Sequence, residues 1–421
     1  MATLLIQSAI LVSPGHPLNH SKVDVLIKNG KIDQLGEHIQ SDDKKLTKID
    51  GEGAYLSMGF FDLNVNLGEP GLETKEDIQT GTAAAVAGGF TGVAVQPNTR
   101  PAIHSRAEVA LIVNSAKGNI VDVLPIGALS KDRAGKDLAE LFDMRQTGAI
   151  AFSDGDKSVQ QAGLMSRGLL YAKGFGGLII SYPQDDSVAG GHQMNEGQVS
   201  TFLGMKGIPN LAESIMVSRD LFLAEYNEAA IHFGTISTQE SVDLIKKAKA
   251  KGLRVTCDVA AHHLVFTDSE VESFDSQFKT MPPLRTKADV KALIKGLKDG
   301  VIDAIVSQHT PHEVEFKEVE FQIAAPGIIA SQTVLPLLLR AGLTPEQIVE
   351  RLAIGPRRVL GLPLPDLTAG SEANLVLFSP TKKWIFDKQT NRSKSSNSPL
   401  FGQELVGQVL AVVNNKLLHT N

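Results

Sequence analysis

Met58-Gly59-Phe60-Phe61-Asp62-Leu63-Asn64-Val65-Asn66-Leu67-Gly68-Glu69-Pro70-Gly71 is the stretch whose reading decides the fold of this chain. Phe60, Phe61, Leu63 and Val65 leave little room for a solvated face, so Gly59 to Asn66 reads as a buried strand. Asp62, Asn64 and Asn66 recur with a period of two and therefore share one side of it. Glu69-Pro70-Gly71 stops the strand and opens a loop. Polar side chains gathered where a strand gives way to a loop are what a barrel enzyme uses to build a site. They also serve simply to satisfy backbone groups at a strand end.

Working outward, the middle of the chain alternates strand-like and helix-like runs. The further strand candidates are Gly92–Gln96, Val121–Ile126, Ala149–Phe152, Gly177–Ser181, Ala230–Gly234, Arg254–Val259 and Ala304–Ser307. Ser241 to Lys251 and Ala288 to Asp299 carry apolar residues at helical spacing and stop at Gly252 and Gly300. Thr344-Pro345-Glu346-Gln347 is a capping box with proline at the first helical position. Eight such alternations read most simply as a (β/α)8 TIM-like barrel over residues 58–365, with an open doubly wound sheet as the alternative. Both ends differ from this middle. Leu4–Val12, Val23–Lys28 and Lys31–Leu35, with an Asn29-Gly30 hairpin signal, read as strands. So do Ala373–Phe378, Gln408–Val413 and Lys416–His419. Residues 1–57 and 366–421 are therefore expected to form one small β-sandwich-like module, with residues 388–400 a polar loop.

Composition narrows the function classes. A chain of 421 residues with 42% hydrophobic and 21% charged residues has a full core, and its net charge of −6 gives no footprint for nucleic acid. No run approaches the roughly 18 apolar residues of a membrane span, and the N-terminus has no basic leader, so a cytoplasmic location is expected. The single cysteine, Cys257, lies in an apolar run and reads as a packed core thiol. No Gly-x-Gly-x-x-Gly or Gly-x-Ser-x-Gly motif supports dinucleotide binding or a serine nucleophile. Ala83 to Gly89 reads as close helix packing, not a phosphate loop.

Further motifs fall at the strand ends: Gln96-Pro97-Asn98-Thr99, Phe152-Ser153-Asp154, Tyr182-Pro183-Gln184-Asp185 and the run from Ile231-His232 to Ser237-Thr238. Ala261-His262-His263-Leu264, Gln277 to Arg285, Gln308-His309-Thr310-Pro311-His312 and Ala325-Pro326-Gly327 follow. In order and spacing, with the opening stretch, they resemble the dihydroorotases of the cyclic amidohydrolase superfamily across nearly the whole chain. The resemblance implies an amidohydrolase-type barrel, zinc, a hydrolase acting on cyclic amides and a place in pyrimidine biosynthesis. It also implies that the chemistry has been removed. The family's zinc histidines fall on Asn64, Asn66, Tyr182 and Thr235, and its catalytic aspartate falls on Gln308. Its substrate-binding arginine falls on Gly68, and a substrate-contacting asparagine on Gln277. Asp154 matches a metal-bridging carboxylate, Asn98 a substrate-carboxylate contact, and Pro326-Gly327 with His312 a loop over the pocket.

Neutral amides and hydroxyls are poor zinc ligands, and a hydrolytic zinc site needs three protein ligands and an open position. No metal cofactor and no intact catalytic residue are therefore expected. His232, His309 and His312 read as hydrogen-bonding residues of strand ends and loops. His262 and His263, adjacent on an expected strand, would point oppositely and not share an ion. Three functions stay open: a pseudoenzyme partner of aspartate carbamoyltransferase, with or without homo-oligomerisation; an active cyclic amidohydrolase with other ligands; and a small-molecule binder reusing the emptied pocket.

Overall fold

Asn29 and Gly30 both have positive φ (52° and 77°), the geometry of a two-residue hairpin turn, and they set the second and third strands of the chain against each other. The structure is a computed structural model and describes residues 3–421. It begins with β1 (Leu4–Leu11), β2 (Lys22–Lys28), β3 (Lys31–Gly36), β4 (Thr47–Asp50) and β5 (Tyr55–Met58). β1 pairs with β4 through Leu4–Gln7 and with β5 through Ile10–Leu11. The switch falls at Ser8, a bulge with φ 62° whose N–H donates to Asp24 (2.8 Å). A bulge of this kind lets one strand pass between two layers. β4 and β5 are additions to the sequence expectation: each is only four residues long, and β4 has almost no buried face.

The chain then enters the barrel. Its parallel strands are β6 (Phe60–Val65), β7 (Phe90–Val95), β8 (Asp122–Pro125), β9 (Ile179–Ser181), β10 (Ile231–Phe233), β11 (Val255–Ala260) and β12 (Ala304–Val306). They form two ladders, β6-β7-β8 and β9-β10-β11-β12. Between the ladders, the expected strand Ala149–Phe152 shrinks to one bridging residue: Phe152 pairs with Gly127 on one side and Ile179 on the other. On the far side, Val65 pairs with His309. That pairing closes the barrel and removes the open-sheet alternative. Outside it, the helices Gln239–Ala250 and Lys287–Lys298 bury Val242, Ile245 and Ala248, and Leu293 and Leu297, as their spacing requires. Thr238, Thr286 and Thr344 cap their helices through their hydroxyls.

β13 (Leu375–Ile385), β14 (Glu404–Asn414) and β15 (Leu417–Thr420) return to the first sheet, where β13 pairs antiparallel with β5. Both termini thus build one hydrogen-bonded sheet of eight strands. The polar loop of residues 388–400 straps onto the barrel. Asn397 accepts from His312 N (3.0 Å) and donates to Thr310 O and Gly327 O (3.0 and 3.1 Å). Ser393 donates to the buried Glu76, and Lys394 N donates to the same carboxylate (3.0 Å). Cys257 is fully buried, its thiol facing Val301 O, and burial pushes its pKa up. Gly88 closes the helix Ile78–Ala87, and any Cβ there would lie 2.0 Å from Ser331 O, which is close helix packing. No helix among the described residues is long and apolar enough to cross a membrane.

Candidate functional site at the barrel mouth

Strand ends deliver the side chains. Asn64 and Asn66 leave β6, Gln96 and Asn98 follow β7, Tyr182 follows β9, and Gln308 follows β12. They surround a chamber of about 130 Å³, with Pro326 and Gly327 at its rim and His262 in its wall. Thr235 does not reach the chamber surface. It is buried behind it and accepts from Asn64 Nδ2 (3.2 Å).

Each substituted position is engaged in a neutral hydrogen bond. Asn98 Nδ2 donates to Asn66 Oδ1 (2.8 Å), and Asn66 Nδ2 donates to His309 O (3.0 Å) and Thr310 Oγ1 (3.1 Å). Gln308 Nε2 donates to Met281 O (2.8 Å), and Tyr182 Oη lies 3.4 Å from Gln184 Oε1. Thr235 and Gln308 also hold left-handed backbone, φ 56° and 53°. For a β-branched threonine this is an outlier costing on the order of 1–3 kcal/mol, and such strain persists only when the surroundings impose it. Here Thr235 N donates to Asp258 Oδ1 (2.6 Å), and the buried His232 bridges Asp258 (2.9 Å) and Thr256 (2.8 Å). The left-handed backbone at Thr235 is thus held from behind the chamber by the Asp258 carboxylate.

Several expected site residues lie elsewhere. Asp154 does not line the chamber. Its carboxylate accepts from Ser130 N (2.8 Å) and Ser130 Oγ (2.5 Å), and burial pushes its pKa up against those bonds. Gly155 takes its place at the wall, where a Cβ would sit 2.0 Å from Asn98 Oδ1. Gln277 is also outside: it belongs to the short turn Ser276–Phe278, where its N–H donates to Asp275 (2.9 Å). Gly68 lines an outer vestibule of about 450 Å³. With φ 71°, and with Glu76 O 2.4 Å and Leu72 O 2.6 Å from any Cβ, the loop in this conformation admits no side chain at position 68 without shifting.

His262 and His263 depart from the strand expectation. β11 ends at Ala260, and Ala261–Leu264 form a 3-10 turn that brings the two ring centroids within 4.5 Å, the planes tilted by 39°. Nothing in Val-Ala-Ala-His-His-Leu breaks a strand, so composition gave no signal of the turn. His263 Nε2 donates to Pro282 O (3.1 Å), and burial lowers its pKa to about 4. His262 faces the chamber 1% exposed, and neither ring nitrogen completes a hydrogen bond, although Gln308 stands beside it. Burial, reinforced by His263, holds it well below the usual imidazole range. His309 is pinned by Glu76 (3.3 Å) and by Ala330 N (3.2 Å). His312 Nε2 donates to Pro326 O (3.0 Å) and accepts at Nδ1 from Lys75 (3.4 Å); burial, then Lys75, lowers its pKa to about 4.

The donor set does not fit zinc. Asn64, Asn66, Tyr182, Thr235 and Gln308 offer only neutral oxygens on groups already hydrogen-bonded within the protein; the matched carboxylate, Asp154, faces Ser130, and Asp156 in the chamber lining pairs with Arg133. Among the described residues, no three His, Cys, Asp or Glu side chains gather where they could hold a metal ion.

The loop beneath the rim rests on a buried lysine. Lys317 donates to Ala325 O (3.0 Å) and Gly327 O (3.1 Å), and burial, then Lys279, lowers its pKa to about 7. In the unfolded chain its pKa returns to about 10.4, so between these values the unfolded state binds more protons and stability rises with pH. Melts from pH 7 to 8.5 are expected to show a gain on the order of 1–2 kcal/mol that Lys317→Met removes. An unchanged slope in the variant would contradict this.

The chain matches the family described as Dihydro-orotase-like over residues 53–241. It is 39% identical over 422 residues to the dihydroorotase of Geotalea daltonii, covering 99% of both chains. To the dihydroorotase of Caldicellulosiruptor saccharolyticus it is 41% identical, over 99% of this chain and 98% of the other. Among solved structures, the L-hydantoinase (dihydropyrimidinase) from Arthrobacter aurescens aligns with a TM-score of 0.86 at 20% identity, covering 100% of this chain and 96% of that one. The last likeness carries the fold alone.

Proposed function

This chain belongs to the dihydroorotase family, and from that premise we propose that it serves pyrimidine biosynthesis without catalysing the family's reaction, as a structural or regulatory partner of aspartate carbamoyltransferase. The observation that carries the reading is the interlocked neutral site. Five positions where the family holds zinc ligands and its catalytic aspartate are amides or hydroxyls bonded to one another or to the nearby chain. Around them the fold is intact, down to left-handed backbone at Thr235 and Gln308 that serves no present chemistry. Most core substitutions destabilise by about 1 kcal/mol, and a domain has only about 5–15 kcal/mol to lose. Retention of the shape therefore argues that something still requires it.

A partner contact of this kind buries at least about 1,000 Å² and is indifferent to Asn64, Asn66 and Gln308. Co-expression with the carbamoyltransferase of the same organism, followed by size-exclusion chromatography with light scattering, tests it. A joint peak is the expected result. Separate elution at micromolar concentration, with carbamoyltransferase assembly unchanged when this gene is deleted, would end the reading.

One observation favours a second reading, in which the emptied pocket binds a small molecule. His262 offers two unpaired ring nitrogens and Asn98 an unpaired Oδ1 to the chamber, and buried polar groups in native proteins are rarely left so. Lys75, Arg100 and Lys157 stand in the wall of the adjoining vestibule. Calorimetric titration with carbamoyl aspartate separates the readings: heat that disappears in His262→Phe supports a retained ligand, and none at millimolar concentration removes it.

A further inference from the structure

Behind the rim, the neutral chamber opens outward into a vestibule of different character. Asn66, Gln96, Asn98 and Thr310 line both spaces, so one ligand can occupy both at once. Their volumes, about 130 and 450 Å³, together fall within the roughly 300–1,000 Å³ of a small-molecule site. The vestibule is cationic. Lys75, Arg100, Arg133 and Lys157 line it against only Asp132 and Asp156, an excess of two positive charges in a chain of net charge −6. Both acids are already engaged, Asp132 with His104 (3.2 Å) and Asp156 with Arg133. Lys75 reaches only the neutral His312 Nδ1 (3.4 Å), and Arg100 and Lys157 are exposed at the wall. The chamber holds the opposite lack. His262 is 1% exposed with both ring nitrogens unpartnered, and Asn98 Oδ1 is unpartnered beside it in the lining. A neutral imidazole needs one acceptor and one donor from a ligand, and the amide oxygen needs another donor.

On the reading that the emptied pocket binds a small molecule, we infer that its ligand is a nucleoside monophosphate, with the base in the chamber and the phosphoryl group among Lys75, Arg100 and Lys157. Charge chooses the phosphoryl group. A phosphate monoester carries about −1.5 to −2 at pH 7, which the excess of two cations balances, and it offers three acceptor oxygens. Arginine and lysine give such oxygens charge-assisted hydrogen bonds. A dicarboxylate filling both spaces would instead put one charge in the chamber, whose lining has no lysine or arginine to meet it. The chamber chooses the base. A cavity of about 150 Å³ takes benzene, so one of about 130 Å³ suits a single six-membered ring. A pyrimidine with an alternating carbonyl and N–H edge supplies the acceptor and donors that His262 and Asn98 lack. Tyr182, Met281 and Ile328 add apolar wall for its faces. The neck chooses the sugar: Asn66, Gln96, Asn98 and Thr310 are amides and a hydroxyl, partners for ribose hydroxyls.

Calorimetric titration of the purified full chain with uridine monophosphate, uridine and ribose 5-phosphate tests this. The nucleotide is expected to bind at least about tenfold more tightly than either fragment, because it joins two sites in one molecule. His262→Phe should weaken it about tenfold, towards ribose 5-phosphate, and Arg100→Gln with Lys157→Gln by at least that much, towards uridine. Should a variant misfold, salt decides on the native chain: a tenfold rise should weaken the nucleotide severalfold and leave uridine unmoved. A nucleotide no tighter than uridine, or one indifferent to salt and to the cation changes, would overturn the inference. So would a nucleotide and ribose 5-phosphate of equal affinity, both unaffected by His262→Phe. Carbamoyl aspartate binding more tightly than the nucleotide, with the same dependence on Arg100 and Lys157, would assign the vestibule to a dicarboxylate and overturn it too. His262-dependent heat from carbamoyl aspartate or uridine would then leave the small-molecule reading standing, whereas no heat from any of the four compounds at millimolar concentration removes both.

Discussion

Arg285→Met is expected to lower the stability of the chain by about 3–5 kcal/mol, the cost of breaking a buried charge network from one side. Arg285 is 2% exposed, and its guanidinium knots three loops together. Nε donates to Ser237 Oγ (3.0 Å), and Nη1 donates to Asn195 Oδ1 (3.0 Å) and Ile208 O (2.8 Å). Ser237 in turn donates to Glu213, a buried carboxylate that also accepts from Ser237 N and Thr238 N (both 3.0 Å). Burial presses the arginine pKa down, while Glu213 opposes that shift. Methionine fills the volume but leaves Glu213 without its cation and Asn195 Oδ1 without a donor, each loss costing roughly 1–3 kcal/mol, while Ile208 O keeps Glu196 N. Urea denaturation at pH 7 measures the difference. A loss below about 1 kcal/mol would show that the network relaxes and that Arg285 is not its centre.

That network explains a pattern the sequence displayed without its reason. Pro282-Pro283-Leu284-Arg285 resembles the family's segment, and the structure ties Arg285 to folding. The barrel itself was legible because eight short apolar-rich runs alternate with helix-like ones, and seven of the eight pair as strands. The eighth, Ala149–Phe152, kept the composition of a strand but only one bridging residue, a matter of backbone pairing that composition does not record. The site was legible as a set of replacements, not as a new arrangement. Asp154 looks like a surviving ligand in one dimension, and only the fold shows it turned to Ser130 with Gly155 against Asn98. Residues 388–400 have no periodicity because a strap is held by single polar contacts such as Asn397 and Ser393, not by a repeating face. Glu76, which anchors that strap, lies in a run of charged residues that gave no sign of burial.

Dihydroorotate is expected to pass through the purified chain unhydrolysed, and carbamoyl aspartate uncyclised, at rates many powers of ten below a dihydroorotase. The family's zinc would lower the pKa of a bound water to about 7; without it that lowering is unavailable, and an amide at position 308 accepts no proton. Elemental analysis after gentle purification should find no stoichiometric zinc. The stronger expectation concerns repair. Restoring histidine at Asn64, Asn66, Tyr182 and Thr235 and aspartate at Gln308 should still leave turnover negligible. Asp154 would remain bonded to Ser130, and Gly68, under Glu76 O and Leu72 O, would still supply no arginine. A bidentate arginine–carboxylate clamp fixes substrate geometry as well as contributing energy, so its loss alone costs rate even where a metal returns. Assays of the native chain, the five-fold variant and that variant with Gly68→Arg decide the matter. Activity in the native chain that is abolished by a chelator and by Asp154→Ala would overturn the non-catalytic reading. Full activity in the five-fold variant would show instead that only the ligands had been lost, and that the closed loop at Gly68 reopens for substrate.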